Sequence, residues 1–170
     1  GISFPKNLVL EDSIAISNQV PTVKKVAPQI SANEIVQSNS KSINISIAGI
    51  TPDFLDVRSF EIAEGRFISK SDVSSARSYV VIGPDLKNEF FKNNSSSLGE
   101  KIRIKDHSYE IIGILKPKGA VFGSNQDKNA YIPLTTMVNR ITGKDPTYGI
   151  SLSFISCLLY TSDAADQDLR

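Results

Sequence analysis

Side chains able to do chemistry are sparse in this sequence. His107 is the lone histidine and Cys157 the lone cysteine, so a zinc set of His and Cys ligands cannot be assembled. A Ser-His-Asp triad would have to use a histidine placed beside Asp106 at an expected hairpin tip, where polar residues are ordinary turn formers. No serine lies in a Gly-x-Ser-x-Gly elbow. The glycines at 113, 119 and 123 spell neither a dinucleotide fingerprint nor a phosphate loop, and no cofactor is expected. Carboxylates remain. Glu61 with Glu64, or Asp53 with Asp56, would supply a general acid and base if both members met in a pocket that drove their pKa values apart. Their spacing puts them on surface turns, where solvated charge is the expected state. The couple is kept as an alternative reading, that of a secreted carboxylate-dependent hydrolase.

One connection stands out as a binding element. Residues 116–128 form a long Gly-containing stretch between regular elements, and long ordered connections are more often functional than short ones. Within it, Phe122 is followed by Ser124, Asn125, Gln126 and Asp127, an aromatic anchor with adaptable polar neighbours of the kind that docks a partner protein. Phe122 has a second role open to it, folding back to plug the base of its own loop.

The surrounding pattern supplies the scaffold. A short helix is expected at 11–19, then an irregular strand from Val23 to Val36, a polar turn and an alternating strand through Ile43, Ile45 and Ile47. Thr51 is the expected N-cap of a helix with Pro52 at its first position. Gly65-Arg66 turns the chain, Ser69 and Asp72 have capping-box spacing, and residues 79–82 read as a buried strand. A helix follows from Pro84 to Lys92, then a hairpin over 101–115. After a short strand stopped by Pro133, Leu134, Met137, Val138 and Ile141 make the clearest helical stripe, and Ile150, Leu152 and Phe154 alternate as a last strand. The order predicts an α+β fold of two lobes. A split βαββαβ lobe comes from residues 1–50 plus 129–155, and a small α/β lobe, 51–128, is inserted into it.

At 170 residues with 40% hydrophobic and 22% charged side chains, the chain is suited to an ordinary globular core. A formal charge of +1 gives no electrostatic ground for a nucleic-acid partner. No window reaches the roughly 18–20 apolar residues of a spanning helix. The sequence opens at Gly1 rather than methionine, and is expected to be part of a longer protein. The run from Cys157 to Asp166 reads like a translated sequencing adapter, so residues 156–170 are expected to be non-native. Setting them aside removes one Arg and three Asp, raising the formal charge to +3, and leaves no thiol.

Several separated segments carry a family resemblance in a fixed order. These are Gly49-Ile-Thr-Pro-Asp-Phe54, Glu64-Gly-Arg-Phe67, Leu98-Gly-Glu-Lys-Ile102, Ile112-Gly-Ile-Leu115, Phe122-Gly123 and Ile132-Pro-Leu134. Together, over residues of roughly 8–155, they resemble the extracytoplasmic core domain of MacB-type ABC transporter permeases. The resemblance implies a domain inserted between two membrane helices on the outer side of the bacterial inner membrane, with no catalytic role of its own. It also implies a second permease copy as partner, and a cytoplasmic ATP-binding domain reached through membrane helices outside this sequence. An adaptor protein and an outer-membrane channel would join in export of macrolides, peptides or lipids. A related branch releases lipoproteins.

Overall fold

The structure, a computed structural model, describes residues 23–92, 96–121, 124–145 and 147–156. The helix expected at 11–19, Phe122 and Gly123, and the segment from residue 157 onward lie outside them.

Two long strands, β1 (Val23–Ser38) and β2 (Lys41–Ile50), open the fold as an antiparallel hairpin. It turns at Asn39, whose φ of 54° lies in the left-handed region that Asn tolerates. A four-residue helix α1 (Phe54–Val57) follows. It starts two residues later than expected: Thr51 and its neighbours are used as a turn, with the Phe54 N–H donating to the Thr51 carbonyl at 3.0 Å. Asp53 takes the N-cap position without a side-chain bond. Next come β3 (Ile62–Gly65), helix α2 (Lys70–Ser74), β4 (Tyr79–Ile82) and helix α3 (Pro84–Phe90), which begins on Pro84 as its spacing requires.

β5 (Lys101–Ile104) and β6 (His107–Leu115) form the expected hairpin. Its turn is Lys105-Asp106, with Lys105 at φ 52°, one residue earlier than the sequence suggested. His107 therefore begins β6 opposite Ile104. A two-residue pair, β7 (Ala120–Val121) and β8 (Ser124–Asn125), and a 3-10 turn at Gln126–Lys128 lead to β9 (Ala130–Pro133). The apolar stripe beyond starts as α4 (Leu134–Met137) and continues as a π-helical turn, Val138–Thr142, before β10 (Ser151–Ser156).

β5 closes the sheet. It pairs with β6, and also with β1 through Val36↔Ile104 and Gln37↔Arg103. The path β1-β2-β9-β4-β6-β5 thus returns to β1, with β10 added beside β1 and β3 beside β6. β4 and β6 come from segment 51–128 and β2 and β9 from the flanking segments, joined by Val81↔Tyr131 and Ile82↔Ala130. The lobe boundaries expected at 50/51 and 128/129 therefore fall inside one hydrogen-bonded sheet.

Strand alternation sorts the core into two faces. Val80, Ile82, Ala130 and Ile132 join Val36, Ile47, Ile104 and Tyr109, with Leu86 and Phe90 of α3 and Leu134, Met137 and Ile141 of the last helix. Val81 and Tyr131 point the other way, to Ala27, Ala48 and Ile50 under Phe54, Phe60, Phe67 and Ile68. Residues 80–82 and 130–132 are at most 2% exposed, because helices or aromatic residues cover both faces of these central strands.

Candidate functional site

The 116–128 connection is anchored at its base by Asp127. This residue is 9% exposed, and its carboxylate accepts the Lys118 N–H at 2.7 Å and the Gly119 N–H at 3.1 Å. Consecutive backbone N–H groups converging on one anion form a nest. The Gln126 N–H adds a bond to the Gly119 carbonyl at 3.2 Å. Asn125 caps the 3-10 turn by accepting the Asp127 N–H at 2.9 Å, while its amide nitrogen donates to Asp85 at 3.2 Å. Gly83 fits because it lacks a side chain: a Cβ there would stand 2.2 Å from the Asp127 carbonyl oxygen.

Beneath the connection lies an aromatic trio. Phe54 and Phe60 stack at 5.7 Å, and Tyr131 tilts against them at 5.3 and 5.6 Å. The Arg58 guanidinium sits 5.6 Å over Phe54 and the Lys118 ammonium 4.8 Å over Phe60, so cations cap rings whose faces are electron-rich. Lys118 also donates to the Arg58 and Ser59 carbonyls, tying the connection to the end of α1. The Tyr131 hydroxyl is buried without a hydrogen bond of ordinary geometry, and burial pushes its pKa up. A cleft of about 200 Å³ opens alongside, between Ser59, Phe60 and Glu61 and the chain at 116–118.

The residues singled out for binding therefore divide. Asp127 and Asn125 spend much of their polarity inside the protein, Asn125 and Gln126 reach the surface to different extents, and Phe122 is outside the described residues. Lys118 gave no signal in the sequence, since a lysine between Pro117 and Gly119 looks like any loop charge. The Asn-x-Asp spacing at 125–127 was the available cue to an internal cap.

The Glu61/Glu64 couple is split between two lysines: Glu61 pairs with Lys116 at 3.1 Å and Glu64 with Lys87 at 2.6 Å. Asp56 pairs with Lys25, and Asp53 stands at the N-cap of α1. His107 is exposed at the start of β6. No group of three His, Cys, Asp or Glu side chains able to hold a metal occurs among the described residues.

The Gly65-Arg66 corner is structural. Gly65 has φ +73°, and the Arg66 N–H donates to the Ile112 carbonyl at 3.0 Å, fastening the corner onto β6. The capping box forms as its spacing predicts: Ser69 Oγ accepts the Asp72 N–H at 3.2 Å and the Asp72 carboxylate accepts the Ser69 N–H at 2.8 Å. Arg66 reaches the same carboxylate through both terminal nitrogens, at 2.7 and 3.3 Å. Burial pushes the Asp72 carboxyl up, but the bonds from Arg66 and Ser69 outweigh it and leave its pKa below the usual carboxylate range.

The polar side chains at the base of the connection are thus tied into the protein's own backbone. Comparison with known proteins supplies the context: residues 2–168 match the family model described as the MacB-like periplasmic core domain. The chain belongs to that family. It is 32% identical over 164 residues to the macrolide export ATP-binding/permease protein MacB of Shewanella sp. strain W3-18-1, covering 96% of this chain and 25% of that protein. Against the MacB protein of Syntrophobacter fumaroxidans the identity is 35% over 149 residues, covering 84% and 21%. The chain therefore spans about a quarter or less of these relatives. The crystallised periplasmic region of MacB from Actinobacillus actinomycetemcomitans superposes with a TM-score of 0.75 at 26% identity, over 95% of this chain and 71% of that one. The extracellular domain of the transporter YknZ from Gram-positive bacteria shares the fold, with a TM-score of 0.75 at 20% identity over 90% and 75%. This is an α+β extracytoplasmic domain of a MacB-like ABC transporter permease, and among its described residues no helix is long and apolar enough to cross a membrane.

Proposed function

We propose that the domain is a transmission element without chemistry of its own. It carries movement, driven by ATP hydrolysis in a cytoplasmic domain, to an adaptor protein or to the exported substrate while paired with a second copy of the permease. One observation carries the reading: six strands close on themselves through the β1–β5 contact. A displacement imposed at one end of such a body is passed on whole, because opening it breaks ladder bonds worth about 0.5–1.5 kcal/mol each and exposes core on both faces. β1 spans sixteen residues, roughly 50 Å along its path at about 3.3 Å per residue. Its first residue lies opposite the last of β10, Val23↔Ser156. Force delivered along this strand pair enters the ring directly.

The adaptor contact is assigned to the connection carrying Phe122, Ser124, Asn125, Gln126 and Asp127, and the Asp127 nest supports this by holding the base of the loop in one shape. Macrolides, peptides and lipids are the proposed cargo classes, and macrolide export is the activity that the names of the MacB relatives carry. The test uses the full-length permease freed of any cysteines of its own, with single cysteines at the exposed positions 40, 70, 101 and 144. A position that forms a disulfide between the two copies should block export, and reductant should restore it. Export that continues through a locked pair refutes the proposal.

A further inference from the structure

Two clefts of this domain hold several basic side chains, and they differ in what answers the charge. The first, of about 410 Å³ beside α3, carries Lys41, Lys92 and Lys128 together with Asp85 and Glu89, and Glu89 takes Lys41 at 2.7 Å and Lys128 at 3.6 Å. Its carboxylates come from within. The second, of about 260 Å³, opens where β5 meets β1, with Lys101 and Arg103 in its lining and no carboxylate. Neither cation makes an ion pair or a side-chain hydrogen bond among the described residues. Glu110 stands opposite Lys101 in the β5–β6 ladder, yet the two form no ion pair, and Lys101 lines the cleft instead.

Closure of the ring builds this second cleft. The register Gln37↔Arg103 and Arg103↔Ser108 sets an amide, a guanidinium and a hydroxyl in one row across three strands. Lys101 lies on the same face of β5 two residues away, about 7 Å along the strand. Asn39, in the left-handed turn of the first hairpin, adds a second amide to the lining. Ser38 is the buried member of the set. It is 7% exposed, lines the cleft, and its hydroxyl makes no hydrogen bond with the described residues. Buried polar groups are satisfied as a rule, and the cleft is where this hydroxyl meets a partner.

The geometry points to a binding site for a phosphate monoester, with Lys101 and Arg103 taking its charge and Ser38, Ser108, Gln37 and Asn39 donating to its oxygens. Charge and valence select this class. A phosphate monoester carries about 1.5–2 negative charges and three strong acceptor oxygens, which suits two cations among four neutral donors. A carboxylate brings one charge and two oxygens, and leaves donors over. The Arg103 fork fits phosphate oxygens in pairs. Glu110 of a second copy is half-buried on its own strand, and it would arrive with that copy's Lys101 beside it, setting like charges together. An anionic bilayer surface is met by clusters of about four to eight basic residues, whereas two cations in a cleft of this size address a single phosphate group.

The test uses the full-length permease in neutral detergent, free of nucleotide and of any cysteines of its own, with an environment-sensitive fluorophore on a cysteine at the exposed position 40. Two probes separate the sources of the phosphate. Glycerol phosphate stands for a soluble ester, and dihexanoyl phosphatidic acid, below its micellar concentration, for a lipid headgroup. Saturable binding of at least one is expected, and which one binds names the source. Lys101→Ala and Arg103→Ala should each raise its Kd about tenfold, with melting temperature unchanged because both side chains are exposed. Arg103→Lys, which keeps the charge and loses the fork, should raise it about threefold. No saturable response to either probe, acetate binding as tightly as the ester, a response that chloride reproduces at matched ionic strength, or a Kd indifferent to positions 101 and 103 overturns the inference.

Discussion

The Arg66–Asp72 corner gives the sharpest energetic prediction. The Asp72 carboxylate, on a residue 4% exposed, accepts three N–H groups, two from Arg66 and one from Ser69. Asp72→Ala removes all three and strips half of the capping box. Hydrogen bonds to charged groups are worth about 1.5–3 kcal/mol each and an N-cap about 0.5–2, but partners in one network do not add. The expected loss is about 3 kcal/mol, or about 6–12 °C in melting temperature for a chain of this length. Arg66, half exposed, regains water when freed, so Arg66→Ala should cost less, about 1.5–2 kcal/mol. The double variant should fall short of the sum by about 1 kcal/mol. The folded pKa of Asp72 is depressed, so the stability it contributes is present above the unfolded value of about 3.9 and is lost as pH falls through the folded pKa. Urea unfolding followed by circular dichroism, repeated at pH 7 and between pH 5 and 2, gives the full cycle. A cost for Asp72→Ala below about 1 kcal/mol, additive single effects, or a gap to Asp72→Asn that widens in acid would refute the assignment.

Three further outcomes follow from the anchored connection. Asp127→Ala should lower stability by about 1–3 kcal/mol and accelerate hydrogen exchange at the Lys118 and Gly119 amides above all others. Gly83→Ala sets a Cβ against backbone rather than a movable side chain, so thermal melting should report a loss of about 1–3 kcal/mol or more. Tyr131→Phe deletes a buried hydroxyl that makes no ordinary hydrogen bond, and chemical denaturation should find it neutral or slightly stabilising.

Local signals in this chain read well because local physics decided them. Alternation at 43–47 and the Ser69–Asp72 capping box depend on neighbours within a few residues, and both appear as drawn. The π turn after Val138 keeps the stripe buried but not the α-helical register, a distinction that periodicity over five residues cannot make. Nonlocal contacts were out of reach. Nothing near Gln37 announces Arg103 as its neighbour, yet that pairing closes the ring and brings Ile35 and Arg103 onto one face. The pairing of β4 with β9 was out of reach for the same reason, since its two strands lie far apart in the sequence. Asp127 read as a loop-surface acid because sequence shows its polarity but not the two amide donors that turn it inward.

Rigid transmission can be read from spin-label distances in the full-length permease with and without ATP. Labels at positions 40 and 144 of one copy report on the body itself, and a label at position 70 of each copy reports on the pair. If the domain moves as one body, the 40–144 distribution is unchanged by nucleotide while the 70–70 separation shifts. A 40–144 distance that moves with ATP, or a 70–70 distance that does not, contradicts it.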